Sequence, residues 1–263
     1  MRVLVALGGN AMTAPDGSAT PKAQRAAITI ASRHLADLVA AGHEVVVTHG
    51  NGPQVGNLLV KNALAAHVVP PVPLDWCGAQ TQGTIGFTLL DTLEAALAAR
   101  GAERPVAALI TRTLVAADDP GFTHPTKPIG RFLPREQAQA LMDHGERWED
   151  RGEKGWRRVV ASPEPLEVLE THTLKTLLAA GYIVVAAGGG GIPVVRGEGG
   201  AVHGVEAVID KDLTAALLAR AIEAAMRFVR AGGRRSIVTA LDQLATAIDG
   251  HIGTVIENPE RER

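Results

Sequence analysis

Hydrophobic positions along the chain follow two patterns. Short apolar runs rich in Val, at residues 2–7, 43–48, 106–111 and 182–187, are bounded by turn residues and read as buried strands. Between them, residues 22–41, 53–67, 75–100 and 165–180 carry apolar positions at helical spacing. Gly42 and Gly181 close two of these helices, and Pro53 suits the first turn of another. Strand and helix in alternation predict an α/β domain with a mostly parallel sheet covered on both faces. Residues 115–165 break the pattern: they are rich in Pro, Gly and charge, with a hairpin expected around Gly152–Glu153–Lys154–Gly155. They read as a small inserted lid on a single domain spanning 1–263. After Gly188–Gly191 the spacing predicts one long helix over 211–230, then strands at 236–239 and 254–257 with a helix near 241–248.

Composition narrows the picture. The 263 residues are 46% hydrophobic but only 3% aromatic, so the core must be built from Ala, Val, Leu and Ile. With 26 Lys plus Arg against 28 Asp plus Glu, a net charge of −2 gives no reason to expect nucleic acid or an anionic membrane as partner. Any anion site must come from a few placed cations and backbone amides. Cys77 is the lone cysteine, which excludes an internal disulfide and fits a reducing, cytoplasmic setting; its own reading is a small buried hydrophobe. The N-terminal apolar run is broken by Gly8–Gly9–Asn10, against a signal peptide, and no run approaches the roughly 18 apolar residues of a membrane span.

Ligands of open α/β sheets collect at the carboxyl ends of the strands. Three predicted strand ends carry glycine: Gly8–Gly9–Asn10, His49–Gly50–Asn51–Gly52 and Gly188–Gly191. Glycine lets the backbone approach an anion and leaves amides free to donate, and a following helix adds the positive end of its dipole. Each cluster alone reads equally well as a tight turn; three together read as a phosphate site. Their spacing fits neither the dinucleotide G-x-G-x-x-G fingerprint nor the G-K-[ST] phosphate loop.

Two lysines stand out. Lys127 lies between prolines in "HPTKPIGRF". Lys211 opens a helix, where a cation opposes the dipole unless an anion faces it; the alternative is a solvated head paired with Asp210 or Asp212. Asp212 orients the lysines, holds a metal or is an ordinary first-turn carboxylate, and Asp210 reads as an N-cap. His49 is equally a ligand contact or a structural histidine. Trp76 and Trp156 read as packing aromatics, and Arg157–Arg158 as a solvated hairpin face. No His/Cys cluster has zinc spacing, and no G-x-S-x-G elbow occurs.

The strings "VALGGNA", "VTHGNGPQVGNLL", "PLDWCGAQTQGTIGF", "KPIGRF", "KGWRRVVASPEP", "AAGGGGIPVV" and "GVEAVIDKDLTAALLA" together resemble carbamate kinases of the amino-acid kinase fold. The resemblance implies a three-layer αβα sandwich, usually a homodimer, that transfers a phosphoryl group reversibly between carbamoyl phosphate and ADP. The products are ATP and carbamate, Mg²⁺ accompanies the nucleotide, and the usual setting is arginine breakdown by the arginine deiminase route. By motif, Gly8, Gly9, Asn10, His49, Gly50, Asn51 and Gly52 would hold carbamoyl phosphate. Lys127 and Lys211 would stabilise the transferring phosphoryl, Asp212 would organise them, and Gly188, Gly189, Gly190 and Lys211 would face the nucleotide. No protein-held metal is expected. A kinase of this fold acting on another acid group is a further reading, against which the carbamate-type strings speak.

One departure from the family pattern falls at 222–223. Carbamate kinases place a strand, a nucleotide-facing loop and a further lysine between "DKDLTAALLA" and the helix "EAAMRFV"; here Ala221–Ile222 runs straight into Glu223–Ala224. The two helices fuse in phase, with Arg220, Glu223, Arg227 and Arg230 on one polar stripe. The expectation is therefore an intact carbamoyl-phosphate half and a reduced nucleotide half. The alternative function is a catalytically impaired homologue that binds a small anion.

Overall fold

Alternate residues of a β-strand face opposite sides of its sheet, and here both sides are apolar. A computed structural model describes residues 2–8, 12–13, 20–143, 145–226, 235–238 and 254–257, with the backbone alone for 223–226 and the last two segments. The chain begins β1 (Arg2–Leu7), α1 (Pro21–Ala40), β2 (Glu44–His49), α2 (Gly52–Ala65), α3 (Leu74–Ala98), β3 (Val106–Ala108) and β4 (Arg112–Leu114). It continues α4 (Pro120–Thr123), β5 (Lys127–Leu133), α5 (Arg135–Met142), β6 (Trp148–Asp150), β7 (Trp156–Val160), β8 (Glu167–Val168) and α6 (Thr171–Ala179). Then follow β9 (Ile183–Val185), β10 (Ile192–Arg196), β11 (Val202–Gly204), α7 (Lys211–Met226), β12 (Arg235–Val238) and β13 (Thr254–Glu257).

The central sheet has the order β1-β2-β9-β3 and is parallel throughout. Val3, Val5 and Leu7 of β1, Val45 and Val47 of β2, and Ile183 and Val185 of β9 pack with α1 and α3. The intervening Leu4, Val46 and Val184 pack with Leu174 and Leu178 of α6 and Ala215, Leu218 and Ile222 of α7. This is the expected three-layer αβα sandwich. A second sheet, β11-β10-β4-β8, joins β10 and β4 in parallel and carries antiparallel strands at both edges. The inserted region forms its own antiparallel sheet, β5-β7-β6, whose turn at Gly152–Gly155 is the expected hairpin.

Two expectations need correction. The helix expected over 165–180 begins only at Thr171, because residues 166–169 bond to β4 instead: the Leu166 and Leu169 amides donate to the Leu114 and Arg112 carbonyls. The Arg112 amide in turn donates to the Glu170 carboxylate, which sits at the start of α6. The strand expected over 106–111 ends at Ala108, and the chain re-enters the second sheet at Arg112. The hairpin β10–β11 has no counterpart in the hydrophobic pattern. Of the helix expected over 211–230, α7 runs unbroken from Lys211 to Met226 through the 222–223 junction; the rest, and the helix expected near 241–248, lie outside the described residues. β12 lies alongside β1 and pairs with β13.

Candidate active site

The carboxyl ends of β1, β2 and β9 meet at one rim, tied together by buried hydrogen bonds. The Gly50 amide donates to the Leu7 carbonyl at 2.7 Å, joining the first two glycine loops. At Gly8 and Gly52 an added Cβ would meet no atom within 4 Å, so both face open space. Gly9 and Asn10 lie outside the described residues. His49 is fully buried, and burial pushes its pKa down to about 4, so the ring is neutral at ordinary pH. A carbonyl can only accept, so the 2.9 Å contact between Nδ1 and the Gly50 oxygen places the proton on Nδ1. Asn51, at the N-cap of α2, turns its amide away from the helix to donate to Thr81 Oγ1 at 2.9 Å.

The third loop packs directly on the second. A Cβ on Gly188 would collide with the His49 ring, and one on Gly189 with the Asn51 side chain. The backbone here is left-handed at Ala187 (φ 53°), Gly189 (67°), Gly190 (91°) and Gly191 (89°). Ala187 alone pays for this with a Cβ, and it is pinned on both sides. Its amide donates to Thr111 Oγ1 at 2.7 Å and its carbonyl accepts from Thr48 Oγ1 at 2.9 Å. The Gly188 carbonyl accepts from Gln82 Nε2, and the Gly190 carbonyl accepts from both Thr113 and Thr214 hydroxyls at 2.8 and 2.9 Å. The Gly190 and Gly191 amides close a short 3₁₀ turn onto Ala187 and Gly188. The sequence reading missed Thr48, Gln82, Thr111, Thr113 and Thr214. The only available signal was polar residues at otherwise buried strand and helix positions.

The two lysines are paired to carboxylates two residues apart beside this loop. A Cβ on Gly190 would press on the Ile209 carbonyl, so the chain enters Asp210–Lys211 in contact with the glycines. Lys127 Nζ donates to Asp210 Oδ2 at 2.9 Å, while Asp210 Oδ1 accepts from the Asp212 amide at 2.9 Å and so caps α7. Burial pushes the Asp210 carboxyl up, but the hydrogen bonds from Lys127 and the Asp212 amide, with the Lys127 charge, outweigh it and hold it below the usual carboxylate value. Lys211 Nζ pairs with Asp212 Oδ1 at 2.5 Å. Lys127, far away in sequence, therefore stands one residue's reach from Lys211. Asp212 pairs with Lys211, while Lys127 is held by Asp210, which the sequence marks only as a cap.

Other residues singled out in sequence sit elsewhere. Arg158 pairs with Glu146 at 3.1 Å and Glu206 at 3.5 Å, and the Arg157 guanidinium stacks over Phe132 at 5.1 Å, so both belong to the inserted sheet and its footing. Trp76 is 60% exposed, Trp156 is half-buried in β7, and Cys77 is buried in an apolar cluster with Val55, Leu74, Ile129 and Val160. Among the described residues no group of three or more His, Cys, Asp or Glu could hold a metal ion. The Asp212 side chain is 60% exposed and pairs with Lys211. No described helix is long and apolar enough to cross a membrane. Beside α7, an apolar hollow of about 240 Å³ opens against Leu166, Val168, Leu217 and Ala221.

A parallel sheet whose rim gathers three glycine loops and two ammonium groups defines a phosphate-handling α/β domain. Residues 1–229 match the amino acid kinase family. The carbamate kinase of Pyrococcus furiosus is 36% identical over 312 residues, covering 97% of this chain and 98% of that protein. The carbamate kinase-like protein YqeA of Escherichia coli is 43% identical over 247 residues, covering 93% and 75%. The structure of the Giardia lamblia carbamate kinase bound to AMP-PNP superposes with a TM-score of 0.85 at 34% identity, covering 97% and 98%. The chain belongs to the amino acid kinase family, on its carbamate kinase branch.

Proposed function

We propose that this chain is a carbamate kinase, moving a phosphoryl group reversibly between carbamoyl phosphate and ADP to give ATP and carbamate. The observation that carries the reading is the Lys127–Asp210–Lys211 cluster beside Gly190, at the rim formed by the glycine loops. Phosphoryl transfer asks little covalent chemistry of a protein; it asks for alignment of donor and acceptor and for positive charge where the equatorial oxygens gather it. Gly8, Gly9, Asn10, Asn51 and Gly52 hold carbamoyl phosphate through backbone amides and the dipole of α2, while Gly50, its amide donated to the Leu7 carbonyl, ties the first two loops together. His49, neutral and pressed on Gly188, keeps these loops in place. Lys127 and Lys211 neutralise the transferring group from two sides, with Asp210 fixing the first and Asp212 the second. Gly188, Gly189 and Gly190 set the floor on which the nucleotide phosphates lie. Asp212 would offer a carboxylate to Mg²⁺ accompanying the nucleotide, which would supply further charge neutralisation. A homodimer, a cytoplasmic location and a place in arginine breakdown complete the reading.

A second reading has its own observation. The match to the Pyrococcus furiosus enzyme runs over 312 positions but takes in 97% of the 263 residues of this chain, so between fifty and sixty positions of that relative have no counterpart here. The carbamate kinase 1 of Enterococcus faecium matches at 43% over only 224 residues, 85% of this chain and 71% of its own. This pattern fits an absent segment at the 222–223 junction within α7, where the hollow beside Leu217 and Ala221 opens. On this reading the chain still binds carbamoyl phosphate but has lost its grip on nucleotide. Titration calorimetry with ADP, followed by ATP formation from carbamoyl phosphate, separates the two. ATP formation establishes the kinase. Carbamoyl phosphate binding with no ADP affinity establishes the anion-binding protein.

A further inference from the structure

A surface helix ordinarily carries charge on the face it turns to water. α3 does not. From Trp76 to Leu90, roughly four turns, it has no charged residue. Its inner side packs on the central sheet through Ile85, Leu89 and Leu93, while Trp76, Gln80, Gly83, Thr84 and Phe87 are exposed. Trp76 and Phe87 lie almost three whole turns apart, so these two rings, 60% and 59% exposed, mark the ends of one stripe. Gly83, between them, serves no purpose inside the chain. A Cβ there would meet no atom within 4 Å, and a mid-helix glycine weakens its helix relative to alanine. A backbone approaching closely from outside gives the glycine its use. The threonines on this side are already satisfied: the Thr84 and Thr88 hydroxyls donate to the Gln80 and Thr84 carbonyls at 2.9 Å, so covering them strands neither.

The pattern of the stripe identifies what covers it. In a two-fold interface the residues near the axis meet their own copies, so a charge there faces the same charge. An uncharged stripe meets that condition. The acid that ends it, Asp91, is already paired with Arg25 of the same chain at 3.1 Å. The sizes are self-complementary as well. An antiparallel crossing about an axis midway between Trp76 and Phe87 sets each ring against the other kind of ring on the copy. It also lays Gln80 over Gly83. We propose that the outer face of α3 is the seam of the homodimer, on which a second copy of this chain packs antiparallel across Gly83. The dimer in the proposed function had no surface assigned to it, and this one stands on α3 alone, apart from phosphoryl transfer. A stable dimer needs about 800 Å² from each partner. The two rings, each able to bury about 150–250 Å², form the apolar centre. α1, which packs along α3 and leaves Ile30 exposed, widens the face.

The test is the mass of the full chain in solution, measured by analytical ultracentrifugation at micromolar concentration. The unaltered chain should sediment as a dimer. Phe87→Asp, which puts a charge in the seam, and Gly83→Arg, which puts bulk at its centre, should each weaken association by about 30-fold or more. Circular dichroism should report an intact fold in both, because Phe87 is exposed and a side chain on Gly83 starts in open space. Should either fail to fold, Trp76→Ser at the other end of the stripe takes its place. A monomeric unaltered chain, or a dimer that the folded variants leave intact, overturns the proposal. If the chain dimerises through this face and the variants dissociate, while none of them makes ATP, the seam stands and the kinase reading falls.

Discussion

The glycine rim and the junction in α7 show two ways in which a chain tolerates or forbids change. At the rim, the Ala187–Gly191 loop carries left-handed backbone, glycines that admit no side chain, and carbonyls bonded by buried hydroxyls: Thr48 on Ala187, Thr113 and Thr214 on Gly190. The junction at 222–223 has none of this. Ile222 is the last described side chain that packs into the core with Leu218 and Ala215, and α7 continues past it as ordinary helix to Met226. A segment absent after Ile222, as the second reading has it, would leave Ala215, Leu218 and Ile222 packed in place, whereas the same loss at the rim would displace the turn that carries Lys211. The fold is held where chemistry is proposed and is permissive where the chain departs from its longer relatives.

Several experiments sharpen or break that contrast. Replacing Lys211 with Ala should lower phosphoryl transfer by about 10²- to 10³-fold with the melting temperature nearly unchanged, since among the described residues its ion-pair partner is the exposed Asp212. Unchanged turnover in a steady-state assay would remove Lys211 from the site. At the junction, Ala221→Pro should cost about 3 kcal/mol or more in urea unfolding, because proline breaks a helix interior. A variant as stable as the original would mean that α7 does not run through.

Acid should act on the rim through His49. Its folded pKa of about 4 lies below the ordinary 6.5, so between these values the unfolded chain binds a proton that the folded one refuses. Stability is full above pH 6.5 and falls as pH drops toward 4, by about 3 kcal/mol from this group. His49→Gln should flatten that slope in unfolding measured across the window, whatever its own cost. A slope that persists would place the titration elsewhere. The smallest effect is expected from Thr214→Val, about 1 kcal/mol, because Gly190 keeps its bond from Thr113. A much larger loss would mean that the two hydroxyls act as one unit.

The parallel strands and their helices were legible because β1, β2 and β9 are short Val-rich runs buried on both faces, with no polar alternation to confuse them. β8, β10 and β11 were not. They run two, five and three residues, and their pairing depends on β4, which the sequence does not distinguish from the loop after β3. At the site, the glycines and both lysines were visible as residue types at strand ends and a helix start. The division of labour between Asp210 and Asp212 was not, because two carboxylates flanking one lysine are equivalent until Lys127 arrives from 83 residues away.

Lys127 is the first residue of β5, and Val160, opposite it in register, is the last of β7. The ammonium thus sits at the root of the inserted ribbon, with the Gly152–Gly155 turn at the far end. That turn is held by its own glycines: Gly152 and Gly155 are left-handed, and a side chain on Gly155 would press on the Leu133 carbonyl of β5, so the tip tolerates change between these two positions rather than at them. The two residues at the base have no such freedom.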